Sequence, residues 1–257
     1  MFNITAIPAF EDNYIWAIHN SHQAFVVDPG DAAPVLAFLD AHHLTLTGIL
    51  CTHRHHDHIG GIAQLRAVYN VPVYGRRHEN NPHISHDLKE GEQLRLDAFD
   101  LTFNIMDIPG HLDDHIAFYA DSTTPQILFC GDVLFGAGCG RSFEGSVAQL
   151  HHSLQRLADL PRTTLAYCAH EYTASNLRFA AVCEPGNPDV QQRIQSTAQL
   201  RAANLASVPF TLAEELATNP FMRCTEPEII HTLQQRGLAD TSELAVFTAL
   251  RKWRDNF

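Results

Sequence analysis

The strongest signal in this chain is the run Thr52-His53-Arg54-His55-His56-Asp57-His58. Read as H-x-H-x-D-H, it brings together imidazole and carboxylate groups, which are the usual protein ligands of zinc, iron and manganese. The apolar run just before it, Thr47–Cys51, predicts a strand that ends in a loop. We therefore expect a metal site at the end of a buried strand. The alternative is chance clustering in a chain with 17 histidines.

Three later apolar runs end in the same way. Residues 103–108 lead to His111, residues 127–130 to Asp132, and residues 164–169 to His170. Each of these polar residues alone is typical of a turn. Four apolar runs that are each followed by a metal-type ligand favour a shared metal-binding edge instead.

The number of candidate ligands indicates two metal ions. A single catalytic zinc needs three protein ligands and one open position. Two ions that share one carboxylate, Asp132, account for the whole set better. We assign one ion to His53, His55 and His111, and the other to Asp57, His58 and His170. Zinc is the expected metal, although iron and manganese also accept such ligands.

These ligands, with motifs along the whole chain, resemble the metallo-β-lactamase-fold hydrolases, and among them the glyoxalase II (hydroxyacylglutathione hydrolase) family. The motifs include Val27-Asp28-Pro29-Gly30, Gly138-Cys139-Gly140-Arg141, His170-Glu171-Tyr172-Thr173, Asn219-Pro220-Phe221-Met222-Arg223 and Arg251-Lys252-Trp253-Arg254. The resemblance implies an αββα sandwich as catalytic domain over residues 1–173 and an α-helical substrate-binding domain over residues 174–257.

The hydrophobic pattern agrees with a layered α/β fold. Short apolar strands alternate with helical patterns up to about residue 173, and helical patterns follow from there on. The predicted strands include 14–18 and 24–27, and the predicted helices are 33–42, 62–69, 147–160, 188–205, 227–235 and 241–253.

The composition disfavours several classes of protein. With 257 residues and 45% hydrophobic content, the chain can build a substantial core. The net charge of −12 disfavours nucleic acid and anionic membranes as partners, since no basic stretch could neutralise phosphates. The six cysteines form no C-x-x-C pair and favour buried free thiols over disulfides. Without a signal-peptide pattern or a long apolar run, we expect a cytoplasmic protein. The expected oligomeric state is a monomer.

The candidate ligands can support hydrolysis without a serine or cysteine nucleophile. A bound metal lowers the pKa of water from about 15.7 to about 7, so that hydroxide is available at neutral pH. Asp57 and Asp132 are the candidate catalytic carboxylates that orient it. A thioester suits such a site because its thiolate leaves readily. Asp28 is a candidate for orienting a ligating imidazole, with a simple turn residue as the alternative.

The resemblance also implies a site for the glutathione moiety, formed by Arg141, Phe143, Tyr172, Arg251 and Arg254. Arginine forks match the two carboxylates of glutathione. For the last two arginines the alternative is a solvated helix end favoured by the helix dipole. Some family members carry Tyr at position 143, so one hydroxyl contact is missing here.

The chain departs from the family pattern at three positions near the ligands. Arg54 stands where His is common, Leu112 where Thr is common and Asp114 where Gly is common. The resemblance implies a glutathione thioester hydrolase that releases a 2-hydroxy acid such as D-lactate. One alternative is a mononuclear-iron glutathione persulfide dioxygenase of the same fold, which the set Asp57, His58 and His170 disfavours. The other is an inactive metal-binding scaffold, which the changes at Leu112 and Asp114 keep open. His115 is expected in the core or behind the ligands.

Overall fold

The computed structural model describes residues 2–257 and divides the chain into two compact units. The first unit comprises the residues up to Asp107 together with Asp114–Gly131. The second comprises Ile108–Asp113 together with Asp132–Phe257. Among the residues described, no helix is long and apolar enough to cross a bilayer.

The first unit contains most of the strands. They are β1 (Asn3–Ala9), β2 (Asn13–His19), β3 (Gln23–Val27), β4 (Thr45–Leu50), β5 (Val73–Gly75), β6 (His86–Asp87), β7 (Gln93–Leu96), β8 (Leu101–Asp107), β9 (Ile116–Ala120) and β10 (Ile127–Gly131). The helices are α1 (Ala32–Ala41), α2 (His56–Ile59) and α3 (Ile62–Tyr69), and Asp97–Phe99 forms a 3₁₀ turn.

Two sheets build the core of this unit. Strands β1 to β6 form one sheet in chain order, antiparallel up to β3 and parallel from there on. Val26 on one face of β3 packs in a core cluster with Val35 of α1 and Ile62 of α3. Phe25 on the other face meets Phe99 edge-on at 6.0 Å. Strands β7 to β10 form an antiparallel meander. The parallel arrangement gathers the carboxyl ends of β3 and β4 at one edge.

The second unit is mostly helical. Its strands are β11 (Leu134–Phe135), β12 (Gly138–Cys139), β13 (Leu165–Cys168) and β14 (Phe210–Thr211). Its helices are α4 (Val147–Ala158), α5 (Thr173–Cys183), α6 (Pro188–Ala202), α7 (Leu212–Thr218), α8 (Pro227–Gln235) and α9 (Glu243–Arg254), and Pro220–Met222 forms a 3₁₀ turn.

Helix packing in the second unit centres on the short hairpin of β11 and β12. Ala137 in the hairpin turn forms a small core with Leu177 of α5 and Val190 of α6. Phe221 meets Phe247 of α9 at 5.5 Å. The hairpin is therefore embedded among the C-terminal helices.

The structure confirms the predicted helices and the predicted strand ends. The bounds of α3 and α8 are those predicted, and the other predicted helices shift by a few residues. The hairpin β11–β12 and the helices α5 and α7 were not predicted. All six cysteines are buried and free, as the sequence favoured.

Candidate metal centre

The first ligand set lies where β4 ends and α2 begins. His53 and His55 are on the connecting loop, and Asp57 and His58 are in the single turn of α2. Helix α2 is short because Gly60 and Gly61 follow it. The structure therefore brings together the four ligands predicted from the H-x-H-x-D-H run.

Asp28 connects this set to the neighbouring strand end. Its Oδ1 accepts the backbone N–H of Thr52 at 2.7 Å, and its Oδ2 accepts the Thr52 hydroxyl at 2.6 Å. The same Oδ2 lies 3.1 Å from Nδ1 of His58. A carboxylate at Nδ1 favours the tautomer in which Nε2 offers its lone pair. The predicted orienting contact of Asp28 with a ligand imidazole is confirmed.

The ring of His53 is oriented by the same network. The Thr52 hydroxyl donates to Asp28, so its oxygen accepts from Nδ1 of His53 at 3.1 Å. Nε2 of His53 then faces Nδ1 of His55 at 3.1 Å. His115 is buried and stacks on His53 with ring centroids 4.6 Å apart. Its expected place behind the ligands is confirmed.

Asp57 is held by Asn13 and lies beside His58. Asn13 donates through Nδ2 to Oδ2 of Asp57 at 3.0 Å, and Nε2 of His58 lies 3.5 Å from the same oxygen. A Cβ on Gly30 would lie 1.8 Å from the backbone oxygen of Asp57. Only glycine at position 30 allows the turn after β3 to approach this ligand so closely.

Two of the three departures from the family pattern pair with each other. Arg54 donates through Nη1 to Oδ1 of Asp114, and the side chains are only 5% and 10% exposed. The charge introduced between two ligand histidines is thus neutralised by the acid introduced at position 114. Leu112, the third departure, is buried.

The second ligand set belongs to the second unit. Oδ2 of Asp132 lies 3.3 Å from Nε2 of His170 and 3.7 Å from Nε2 of His111. All three side chains are buried. One carboxylate oxygen thus faces the two imidazole nitrogens that were assigned to different ions from the sequence.

The hairpin base holds His111. Nδ1 of His111 lies 2.8 Å from the backbone oxygen of Arg141, to which it must donate, so Nε2 is the nitrogen that can bind a metal. A Cβ on Gly140 would lie 2.0 Å from the backbone oxygen of Asp132. Glycine is required there because the two ends of the hairpin meet at these ligands.

Two of the predicted substrate residues touch the ligand imidazoles. Tyr172 stacks on His170 with ring centroids 4.8 Å apart and an interplanar angle of 9°. Phe143, which is 62% exposed, meets His111 edge-on at 5.3 Å. An exposed aromatic ring beside a ligand is well placed to contact a substrate.

The arginines predicted to bind substrate lie in one basic cluster, but in different surroundings. Arg251 is buried, and its Nη1 donates to the carbonyls of Cys139 at 2.9 Å and Gly140 at 3.4 Å. It is therefore not a solvated helix end. Burial lowers the pKa of Arg254, and so does the charge of three neighbouring guanidinium groups, those of Arg251, Arg141 and Arg178. The carboxylate of Asp255, 2.9 Å from Nη2 of Arg251 and 3.2 Å from Nε of Arg141, offsets part of this charge. The remaining surplus of guanidinium groups favours an anionic ligand.

Several residues around these sets were not assigned a role from the sequence. Asn13 and Thr52 hold ligands in the first unit, and Arg178 and Ser175 join the basic cluster in the second. Thr52 opens the run from residue 52 to residue 58, and that position was the available signal. Arg178 gives no such signal because it is one exposed arginine on α5.

Family models match nearly the whole chain. The metallo-β-lactamase superfamily model matches residues 10–170, and the model of the hydroxyacylglutathione hydrolase C-terminus matches residues 171–257. Among curated proteins, the hydroxyacylglutathione hydrolase of Nitrosomonas eutropha is 47% identical and that of Dechloromonas aromatica is 49% identical, each over the full length of both chains.

Solved structures confirm the predicted fold class. ETHE1 from Myxococcus xanthus is 26% identical, with a TM-score of 0.64 over 98% of each chain. The B3 metallo-β-lactamase BLEG-1 is 23% identical, with a TM-score of 0.62 over 86% of this chain and 99% of its own. The chain therefore has the metallo-β-lactamase fold, with a helical C-terminal region.

Proposed function

The chain belongs to the hydroxyacylglutathione hydrolase family of the metallo-β-lactamase superfamily, and from this membership we infer that it hydrolyses the thioester of S-(2-hydroxyacyl)glutathione. The products are glutathione and a 2-hydroxy acid. The observation that carries this inference is the complete set of metal-type ligands in a chain whose relatives are hydrolases over their full length. The same relatives favour a hydrolase over the persulfide dioxygenase and the inactive scaffold.

We propose that the ligands hold two divalent ions, with Asp132 shared between them. The donor chemistry fits, because His53 and His111 each have Nδ1 hydrogen-bonded to an oxygen and so offer Nε2, while Nδ1 of His58 lies 3.1 Å from a carboxylate oxygen of Asp28. When bound, the ions would activate a water molecule and polarise the thioester carbonyl. Zinc is the proposed metal, because imidazole and carboxylate groups suit it well.

We propose that Asp57 and Asp132 orient the attacking water. Asn13 restricts Asp57 through its bond to Oδ2, so this carboxylate needs no rearrangement during the reaction. The leaving thiolate is stable, and the chain therefore needs no dedicated acid to protonate it.

We propose that the basic cluster binds the carboxylates of glutathione. Arg141, Arg251 and Arg254 supply charge, and Phe143 and Tyr172 supply aromatic surface beside the ligands. Arg251 already donates to two backbone carbonyls, so its contribution there combines positive charge with support of the hairpin. Arg178 is added to the predicted set.

We also propose the roles of the two parts of the chain, the substrate and the cellular location. We assign residues 1–173 to catalysis and residues 174–257 to substrate binding; the two family models adjoin at residues 170 and 171. D-lactoylglutathione is the proposed substrate, and its hydrolysis would be the second step in methylglyoxal detoxification. Buried free cysteines support a cytoplasmic protein, and the net charge of −12 supports the absence of nucleic-acid and anionic membrane partners. The proposed oligomeric state is a monomer.

The test combines metal analysis of the purified protein with thioester hydrolysis kinetics. We expect about two ions per chain and rapid hydrolysis of S-D-lactoylglutathione, lost with a chelator and restored with zinc. Oxygen consumption with glutathione persulfide, without thioester hydrolysis, would overturn the proposal in favour of the dioxygenase.

A further inference from the structure

The hairpin Leu134–Cys139 stands between two parts of the proposed site. Asp132 lies just before it, and Arg141, whose carbonyl holds His111, lies just after it. The base is closed by the bond from the Gly140 N–H to the Val133 carbonyl at 3.2 Å. Any movement of the hairpin is therefore transmitted to Asp132 and His111.

The tip of the hairpin has an unfavourable backbone conformation. Ala137 has φ of +54°, in the left-handed region that residues with a Cβ rarely adopt. Its N–H donates to the carboxylate of Glu215, at 2.9 Å to one oxygen and 3.2 Å to the other. A fully buried carboxylate from α7 thus holds the turn in place.

Other helices bind the neighbouring backbone groups. Asn219 donates to the Gly138 carbonyl at 2.9 Å and to Oε2 of Glu215 at 2.8 Å. Asn176 of α5 donates to the Gly136 carbonyl at 3.1 Å, and Arg251 of α9 donates to the Cys139 carbonyl at 2.9 Å. We call the side chains of Asn176, Glu215, Asn219 and Arg251 the hairpin clamp.

The charge of Glu215 is itself compensated. Nη2 of Arg193 on α6 lies 2.6 Å from Oε1 of Glu215, and its Nη1 donates to the hydroxyl of Thr218 at 2.6 Å. A buried carboxylate is costly unless it is paired and hydrogen-bonded, and Glu215 is both. Since an apolar residue could fill the same space, the carboxylate serves to bind the backbone of the hairpin.

We propose that the hairpin clamp positions Asp132 and His111 for metal binding, so that the C-terminal helices set the affinity for the metal that these two residues hold. The proposal rests on the proposed function, because it concerns the same ligands. The members of the hairpin clamp are positioning residues, which act through the hairpin backbone.

The test compares Asn219→Ala with Asn187→Ala. Both asparagines are buried and bonded through Nδ2, but Asn187 binds Glu184 and the Ala217 carbonyl rather than the hairpin backbone. Zinc affinity is measured by chelator competition, well below the unfolding midpoint of each metal-free protein. Loss of a residue that supports a metal ligand weakens binding about 10- to 100-fold. We expect about a tenfold loss in Asn219→Ala and wild-type affinity in Asn187→Ala.

Equal zinc affinity in the two variants would overturn the proposal, even if both unfold at lower temperature. If Asn219→Ala does not fold, Asn176→Ala, which removes the bond to Gly136, must show the selective loss of affinity. Unchanged affinity in that variant would also overturn the proposal. Failure of the proposed function gives a different result, because the wild-type protein would then bind no zinc or hydrolyse no thioester.

Discussion

The two units supply their metal-type ligands in different ways. In the first unit, four ligands lie between residues 53 and 58 and are oriented mainly by Asp28 and Thr52. In the second, the three ligands are spread from residue 111 to residue 170. The hairpin between them is held by side chains as far along the chain as Arg251. The first set is thus largely local, whereas the second depends on the packing of a whole helical unit.

This difference has a consequence for mutations. Damage to the first set should come mainly from its own loop and from the adjoining strand end. Damage to the second should come from substitutions in several helices, far from the ligands in sequence. Substitutions in the two units test this difference, and they are given from the largest expected effect to the smallest.

The largest effect is expected for Asp132. If it is shared by both ions, Asp132→Ala should lower the metal content to one ion or none. Turnover should fall by more than the ~100-fold upper limit for residues behind the ligands. Asp57→Ala, in the first unit, should retain one ion. Metal analysis and kcat measure both effects, and two ions with near-normal kcat in Asp132→Ala would contradict the shared role.

The next effect separates the two proposed ions. His170→Ala should remove the ion assigned to Asp57 and His58 and leave the other, so the metal content should approach one per chain with a large fall in kcat. His53→Ala should remove the opposite ion. Complete loss of metal in His170→Ala, or no loss, would contradict this partition.

A third effect concerns stability within the first unit. Arg54→His and Asp114→Gly each remove one partner of a buried ion pair, which typically costs about 3–5 kcal/mol. The double variant should recover much of this loss of unfolding free energy, measured by denaturant titration. Arg95→Ala, at an exposed ion pair, is the control and should change stability little. Additive losses in the double variant would show that the two residues are not coupled.

A fourth effect distinguishes two arginines of the second unit. Removing a charge-assisted hydrogen bond costs about 1.5–3 kcal/mol, so Arg254→Ala should raise KM for lactoylglutathione about ten- to a hundredfold with little change in kcat. Arg251→Ala should also lower kcat, because the Cys139 and Gly140 carbonyls lose their donor. A short-chain thioester should be unaffected by Arg254→Ala. Equal effects on both substrates would argue against glutathione binding.

The smallest effect is expected for a bond that occurs once in each unit, from a cysteine thiol to the backbone carbonyl of a candidate ligand. Cys51 donates to the His53 carbonyl at 3.1 Å, and Cys168 donates to the His170 carbonyl at 3.4 Å. Burial raises the pKa of both thiols, so neither forms the reactive thiolate near neutral pH. A thiol-labelling reagent should therefore modify neither in the folded protein. Rapid labelling of either one would show that its ligand loop opens.

The sequence predicted the first ligand set well because all its information is local. The spacing H-x-H-x-D-H and the preceding apolar run are contiguous, and β4 ends where expected. The helices α3 and α8 were equally accessible, since apolar periodicity fits one helix face and Pro227 marks the start of α8. The basic C-terminal residues were also singled out from the sequence, and the structure places Arg251 and Arg254 in one cluster of arginines.

The hairpin clamp could not be predicted because its parts are far apart. Strands β11 and β12 have two residues each, too few for a periodic signal. Glu215 looks like an ordinary helix residue until Arg193 and Ala137 are seen beside it. Helix α7 did carry a sequence signal, since Thr211 and Glu214 form a capping box at its start. The pairing of Arg54 with Asp114 spans 60 positions and was read as two separate departures.

The bond from Arg251 to the Cys139 carbonyl also orders events in time, because the two residues are 112 positions apart. At about 5–20 residues per second, a ribosome needs roughly 6 to 20 seconds to pass from one to the other. During this interval the hairpin can be solvated but not fully clamped, whereas the run that ends at His58 is already synthesised. Capture of metal by Asp132 should therefore be among the last steps of folding on the ribosome. Nascent chains halted before Arg251 should bind zinc more weakly than the released protein.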